Sequence, residues 1–253
     1  LEAQEEIAMS HLKLNQVSFR YKEQSSWLLK QVSFEVKSGS SVSLLGPSGS
    51  GKSTLFYLLG GMYTPDKGEI RLANRLLSKS GMVGYMPQDS SLFPWMTVKE
   101  NILLGYKLGN KKKAFSLGNW LDRAGLAEMA DSYPHQLSGG MQQRVSFLRV
   151  LAGGHSLICL DEPFASLDAL TRSKMQKWLA SLMNADQTFL LITHQMEEAV
   201  LLTDHIYLFP NSLEGRPIEI KNPFPKKERF LVRKTSAFWE FVQQIERQLE
   251  QQT

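Results

Sequence analysis

Along the chain the hydrophobic positions change period several times, and each change marks an element. Leu12, Leu14, Val17 and Phe19 nearly alternate with polar residues, as do Val32, Phe34 and Val36. That spacing predicts half-exposed antiparallel strands near the N-terminus. Four compact apolar runs come later: Val42–Leu45, Met82–Met86, Leu157–Leu160 and Phe189–Thr193. Runs that do not alternate predict strands buried on both faces, as in a parallel sheet. Segments with helical spacing separate them, so the predicted class is α/β.

From about Trp95 to Leu151 there are several helix-like segments and no convincing strand. This predicts a helical subdomain inserted between two sheet strands. Pro223 and Pro225 then interrupt the pattern, and beyond them Phe238, Phe241, Val242, Ile245 and Leu249 recur at spacings of three and four. Such spacing makes one apolar helix face. The expected organisation is a domain over residues 10–222, with the helical part at about 95–151, and an extension over 223–253 carrying an amphipathic helix. That helix is expected to pack on its own domain or on a sister subunit rather than on a membrane.

Composition adds limits rather than direction. The chain has 253 residues, 42% hydrophobic and 21% charged, as in an ordinary globular protein with a substantial core. Its 29 basic and 25 acidic residues leave a net +4, too mild to argue for a nucleic acid or an anionic surface as partner. No run approaches the roughly 18 apolar residues of a membrane span. Leu1 to Ser10 holds three glutamates and lacks the basic start and apolar core of a signal peptide. Met9 is a candidate native start, which would leave residues 1–8 outside the natural sequence. The single cysteine, Cys159, sits in an apolar run and reads as a buried core residue, with no internal disulfide possible. Lys111-Lys112-Lys113 reads as a solvated loop or helix end.

Three motifs carry chemistry. Gly46-Pro47-Ser48-Gly49-Ser50-Gly51-Lys52-Ser53 follows a buried strand and precedes the apolar segment Leu55–Leu59, which is the pattern and context of a phosphate-binding loop. Its glycines let backbone N–H groups close around phosphate oxygens, and the following helix adds dipole charge. Lys52 would reach the β- and γ-phosphates and Ser53 would ligate magnesium, with Thr54 completing the loop. Next, Leu157-Ile158-Cys159-Leu160 ends in Asp161-Glu162, which sets one acid near the metal and the other beside an attacking water. Third comes Leu137-Ser138-Gly139-Gly140-Met141-Gln142-Gln143-Arg144. Ser138 can cap a helix while Gly139 and Gly140 bring bare N–H groups close to an anion. A second anion site on one chain raises the prospect that two copies face each other, each completing the other's site.

This last segment resembles the signature of the ABC ATPases, and the resemblance runs from about Leu12 to Phe209. It implies a P-loop NTPase core with a small antiparallel β layer and an inserted helical subdomain, and ATP and Mg2+ as cofactors. It also implies a role for each remaining landmark. Tyr21 matches the aromatic that stacks on adenine, with Phe19 or another residue as the alternative. Gln88 matches the glutamine that touches magnesium and the attacking water and follows the transmembrane partner. Asp168, in Ser166-Leu167-Asp168, matches the loop crossing the dimer interface, and His194 the switch histidine at the γ-phosphate. Glu162, His194 and Gln88 are thus the catalytic group, Ser53, Gln88 and Asp161 the magnesium group, and Ser138, Gly139, Gly140 and Gln142 the contacts made to ATP in trans.

Residues 161–172 and Phe93-Pro94-Trp95 resemble importer ATPases of the nitrate, sulfonate, taurine and pyrimidine-precursor group. Implied partners are a second copy, transmembrane permease subunits and, indirectly, a substrate-binding protein, with no nucleic acid. The implied location is the cytoplasmic face of a prokaryotic membrane. Two departures stand out: Gln195 where an aspartate usually follows the switch histidine, and Ser146-Phe147-Leu148-Arg149 in place of a more alanine-rich stretch. A non-transport ABC ATPase would predict a tandem cassette, a coiled-coil insertion or a strongly basic face. A P-loop phosphotransferase gives no reason for the second anion motif. An exporter half of the lipoprotein type is opposed only by the importer-like stretch.

Overall fold

A computed structural model describes residues 10–22, 25–109, 115–183, 186–209 and 213–250. The run Lys111–Lys113 and the candidate start at Met9 lie outside them. In chain order, strands β1 (Ser10–Phe19), β2 (Leu29–Lys37) and β3 (Ser41–Leu45) lead to helix α1 (Lys52–Leu59), then β4 (Lys67–Leu72), β5 (Arg75–Leu76) and β6 (Gly84–Met86). Helices α2 (Val98–Leu108), α3 (Leu117–Ala124) and α4 (Gly139–Ala152) follow. After them come β7 (Leu157–Asp161), α5 (Ala169–Leu182), β8 (Thr188–Ile192), α6 (Met196–Leu202) and β9 (His205–Leu208). Strands β10 (Leu213–Glu214) and β11 (Ile218–Lys221) and helices α7 (Arg229–Val232) and α8 (Ser236–Glu250) complete the chain.

The strands form two sheets. One has the order β10-β2-β1-β4-β5 and is antiparallel apart from the short β10–β2 pair. The other has the order β11-β9-β3-β8-β7-β6 and is parallel apart from β11. Every residue of β3, β7 and β8 is buried, because each strand feeds two cores. Leu157, Cys159, Leu190 and Ile192 face the core shared with the antiparallel sheet and α1. Ile158, Leu160, Phe189 and Leu191 face the core shared with α4, α5, α6 and α8. The chain is α/β, with a small antiparallel layer on the parallel core and helices α2 to α4 inserted between the neighbouring strands β6 and β7.

Several expectations need adjustment. The run Met82–Met86 pairs only over Gly84–Met86, since Gly81 turns the chain at φ 82 and β6 is an edge strand with β7 as its one partner. The last parallel run is displaced to Thr188–Ile192. Thr193 leaves it because its hydroxyl donates to Glu198 Oε2 at 2.7 Å and accepts from the Gln195 amide at 3.0 Å. Strands β4, β9 and β11 escaped the sequence reading. β4 and β11 mix charged with apolar residues and β9 is only four residues long, so their neighbours make them strands.

The helix starts are legible locally. Thr97 and Glu100 form a reciprocal capping box at α2, Ser138 accepts from the Met141 amide at α4, and Asp168 accepts from the Leu170 and Thr171 amides at α5. Each cap satisfies amides that the first helical turn leaves open. The C-terminal helix α8 buries Phe238 and Ile245 fully, with Phe241 and Val242 against the same core. Of the two expected surfaces, it packs on its own chain, against α6. The buried Arg229 pins the segment before it, donating to Asp204 Oδ1 at 2.7 Å and to the Phe224 carbonyl at 3.0 Å.

Candidate active site

The phosphate loop spans the gap between β3 and α1, at the carboxyl end of a central parallel strand, where open α/β sheets present ligands. Gly49 and Gly51 adopt φ of 77° and 99°, angles that residues with a Cβ rarely reach. Lys52 is 7% exposed, and its ammonium is turned back onto the loop. It donates to the Gly46 carbonyl at 2.9 Å, the Pro47 carbonyl at 2.7 Å and the Ser50 hydroxyl at 3.1 Å. Burial lowers its pKa, and the charges of Glu162 and Asp161 act in the opposite direction.

Asp161 ends β7 with only 4% of its surface exposed. Burial raises its pKa foremost, and the Glu162 charge adds to this, while hydrogen bonds from Ser53 and Tyr85 and the charge of Lys52 oppose the rise. The Tyr85 hydroxyl donates to Asp161 Oδ2 at 3.4 Å, and burial drives that phenol upward, so it stays a neutral donor. The next residue leaves the strand abruptly. Glu162 sits at φ 43°, a conformation costly for a residue with a Cβ and common where function holds it. Its amide donates to the Ile192 carbonyl at 2.9 Å, and its Oε2 lies 3.1 Å from His194 Nδ1. Two strand ends, β7 and β8, thereby bring Glu162 and His194 together beside the buried Asp161. The donor set of the Ser53 hydroxyl and the Asp161 carboxylate fits magnesium, which takes one or two protein oxygens and fills its remaining positions with phosphate and water.

Gln88 lies exposed in the loop two residues beyond β6. Tyr21, after β1, is half-buried and its hydroxyl pairs with Thr54 Oγ1 at 3.0 Å. Its ring meets Phe19 and Tyr63 edge to face, with centroids 5.2 and 5.6 Å away. Phe19, the alternative to Tyr21, is 6% exposed and offers little ring surface, whereas Tyr63 is 44% exposed. Tyr63 follows α1 in a segment without a periodic signal, so the sequence pattern does not point to it.

The signature segment is elsewhere. Ser138 and Gly139 are exposed at the start of α4, and a Cβ placed on Gly139 would meet nothing within 4 Å. Among the described residues no hydrogen bond joins residues 138–142 to the phosphate loop. Gln142 is turned into its own chain, donating to the Pro134 carbonyl at 2.9 Å, a tie that the sequence pattern did not indicate. Asp168 has the local role of capping α5, and hydrogen bonds from Thr171 and Leu170 hold its carboxyl below the ordinary range. A cavity of about 680 Å³ lies between β1–β2 and β9–β11 and is lined by none of these groups.

A phosphate loop at a parallel strand end, a buried carboxylate behind it and a second carboxylate held against a histidine define a nucleoside-triphosphatase. The sequence model of the ABC transporter family matches residues 29–165, and the chain belongs to that family: it is an ATP-binding cassette with ATPase activity. It is 42% identical over 204 residues to the formylaminopyrimidine import ATP-binding protein ThiZ of Halalkalibacterium halodurans, covering 79% of this chain and 80% of that protein. It is 33% identical over 244 residues to the aliphatic sulfonates import ATP-binding protein SsuB of Bacillus cereus, covering 94% and 95%. Among solved structures it superposes on the dimeric cassette MJ0796 bound to ADP and Pi with a TM-score of 0.71 at 30% identity, covering 85% of this chain and 100% of that one.

Proposed function

We propose that two copies of this chain close head to tail around two ATP molecules and drive a separate permease that imports a small anion, sulfonate or pyrimidine-like solute. The observation that carries the dimer is the exposed N-terminus of α4, capped by Ser138 and open at Gly139, on a chain whose own phosphate loop it does not touch. A second anion-binding helix start needs a phosphate from somewhere, and a second copy supplies one. Solved dimers of a similar cassette and the import systems named for the relatives support the same reading.

In each composite site Lys52 and the loop amides neutralise and orient the phosphates. Ser53 and Asp161 would hold magnesium, with Gln88 as a further contact, and that ion would supply charge neutralisation for the phosphates. Glu162 takes the proton of the attacking water, His194 orients Glu162 and meets the γ-phosphate, and Tyr21 stacks on the adenine. Ser138, Gly139 and Gly140 contact the partner's ATP, and Asp168 lies at the interface. The working location is the cytoplasmic face of a prokaryotic membrane. Among the described residues no helix is long and apolar enough to cross a membrane. The import systems named for the relatives support a permease as a partner, and it in turn would receive solute from a binding protein. Residues 10–222 act as the ATPase domain and 223–253 as an extension whose helix α8 docks on it.

Sedimentation tests the dimer. The Glu162→Gln protein is expected to run as a monomer without nucleotide and as a dimer with ATP. A mass independent of ATP, with full hydrolysis by a monomer, would overturn the sandwich.

The loop after Gln88 supplies the permease surface. Trp95 is 69% exposed and Phe93 36%, beside a groove of about 540 Å³ lined by Phe93, Leu104, Leu108 and Val150. Exposed apolar surface of this kind suits an amphipathic helix from a partner. Trp95→Glu is expected to lose permease on co-purification, several-fold or more in affinity, while the isolated protein still hydrolyses ATP. Retention of the complex at the wild-type level would remove the docking role.

A further inference from the structure

The stretch Ser146–Arg149, which departs from the alanine-rich pattern and has no part in the chemistry above, faces the loop that follows Gln88. The Ser146 hydroxyl, 1% exposed on α4, donates to the Ser90 carbonyl at 2.5 Å. The Ser90 hydroxyl in turn donates to Gln142 Oε1 at 3.4 Å. The amide nitrogen of Gln142 then donates to the Pro134 carbonyl at 2.9 Å and the Leu137 carbonyl at 3.4 Å. Leu137 directly precedes Ser138. A continuous hydrogen-bonded path therefore runs from Ser90, two residues beyond Gln88, through the Gln142 side chain to the turn that sets the signature, and Ser146, one helical turn further along α4, ties down the backbone of the same Ser90.

The neighbouring contacts make this loop a fixed body rather than a slack connection. Ser91 is held at φ 32°, and Arg149 grips it twice, Nη1 on its carbonyl at 3.0 Å and Nη2 on its hydroxyl at 2.9 Å. The same guanidinium lies 5.7 Å from the centroid of the Phe93 ring. At the far end the buried Asn101 of α2 accepts from the Phe93 amide at 3.0 Å and donates to the carbonyls of Phe93, Met96 and Thr97. Helices α2 and α4 are themselves in close register, because a Cβ on Gly105 would overlap the Arg149 carbonyl. A displacement at Gln88 thus has little slack to absorb it before it reaches α4.

We propose that Ser146, Ser90 and Gln142 are positioning residues that make the orientation of Ser138 and Gly139 follow the position of the Gln88 loop. On this assignment the side chain of Gln142 braces its own chain and does not reach across to the partner's ATP. The proposal rests on the sandwich reading for its effect on turnover, but the path itself lies within one chain and is testable there.

Amide hydrogen exchange on the full, nucleotide-free chain reads the path directly. Losing the Ser146 hydroxyl removes one hydrogen bond, so in Ser146→Ala exchange is expected to rise about two- to tenfold. The rise should appear over 88–91 and also over 134–138, a segment Ser146 does not touch. Ser146→Thr, which keeps a hydroxyl, should return both segments toward wild type. In steady-state hydrolysis Ser146→Ala should raise the KM for ATP by about two- to tenfold with a smaller change in kcat. Combining it with Gln142→Ala should add little further, as for two residues in one path. An exchange increase confined to 88–91, or additive effects of the two substitutions, would overturn the proposal. If wild-type protein failed to dimerise with ATP, the sandwich reading would fall, while the exchange result would still decide the path.

Discussion

Glu162→Gln is expected to bind ATP almost as wild type does while hydrolysing it at least about a hundredfold more slowly, the lower end of what a general base contributes. Asp161→Asn is expected to fail differently, losing magnesium-dependent nucleotide affinity as well as turnover. The two carboxylates are adjacent in sequence but stand in different environments. Asp161 is buried at the end of β7 under hydrogen bonds from Ser53 and Tyr85, and burial raises its pKa. Its side chain points to where the phosphate-loop serine is, so it is placed to hold a cation rather than to meet water. Glu162 has turned out of the strand at φ 43° and sets its carboxylate 3.1 Å from His194. Equilibrium binding and single-turnover hydrolysis on both proteins separate the roles. Similar, modest losses in the two mutants would mean that the carboxylates only adjust the local field. Hydrolysis by Glu162→Gln within a few-fold of wild type would move the search for the base to His194.

Lys52→Ala should abolish most nucleotide binding along with turnover. Its ammonium is the one side-chain cation placed within the loop, where it donates to the Gly46 and Pro47 carbonyls and the Ser50 hydroxyl. Oxygens of a bound triphosphate would take the place of those acceptors, and a hydrogen bond to a charged group is about twice as strong as a neutral one. Lys52→Arg is not expected to rescue, since a planar forked head does not fit where a compact ammonium is almost fully enclosed. Nucleotide affinity and phosphate release decide this, and unchanged values for Lys52→Ala would remove the phosphate-loop assignment.

Much of this protein was determined by the sequence alone, wherever the physical cause is local. The phosphate loop, the helix start at Ser138 and the apolar runs of β3, β7 and β8 are set by glycine backbone freedom, by capping and by burial on both strand faces. All of these act within a few residues, and from them the α/β class follows. Strands β4, β9 and β11 were not legible, because their pairing is decided by neighbours distant in the chain rather than by their own composition. The approach of Glu162 to His194 depends on two strand ends being adjacent in the sheet, and the choice of α6 as the surface for α8 depends on which apolar faces remain open. The bracing of the Gln88 loop by Ser146 and Gln142 was equally hidden. A serine and a glutamine carry no periodic signal, and their hydrogen bonds acquire meaning only once tertiary packing has laid α4 against that loop.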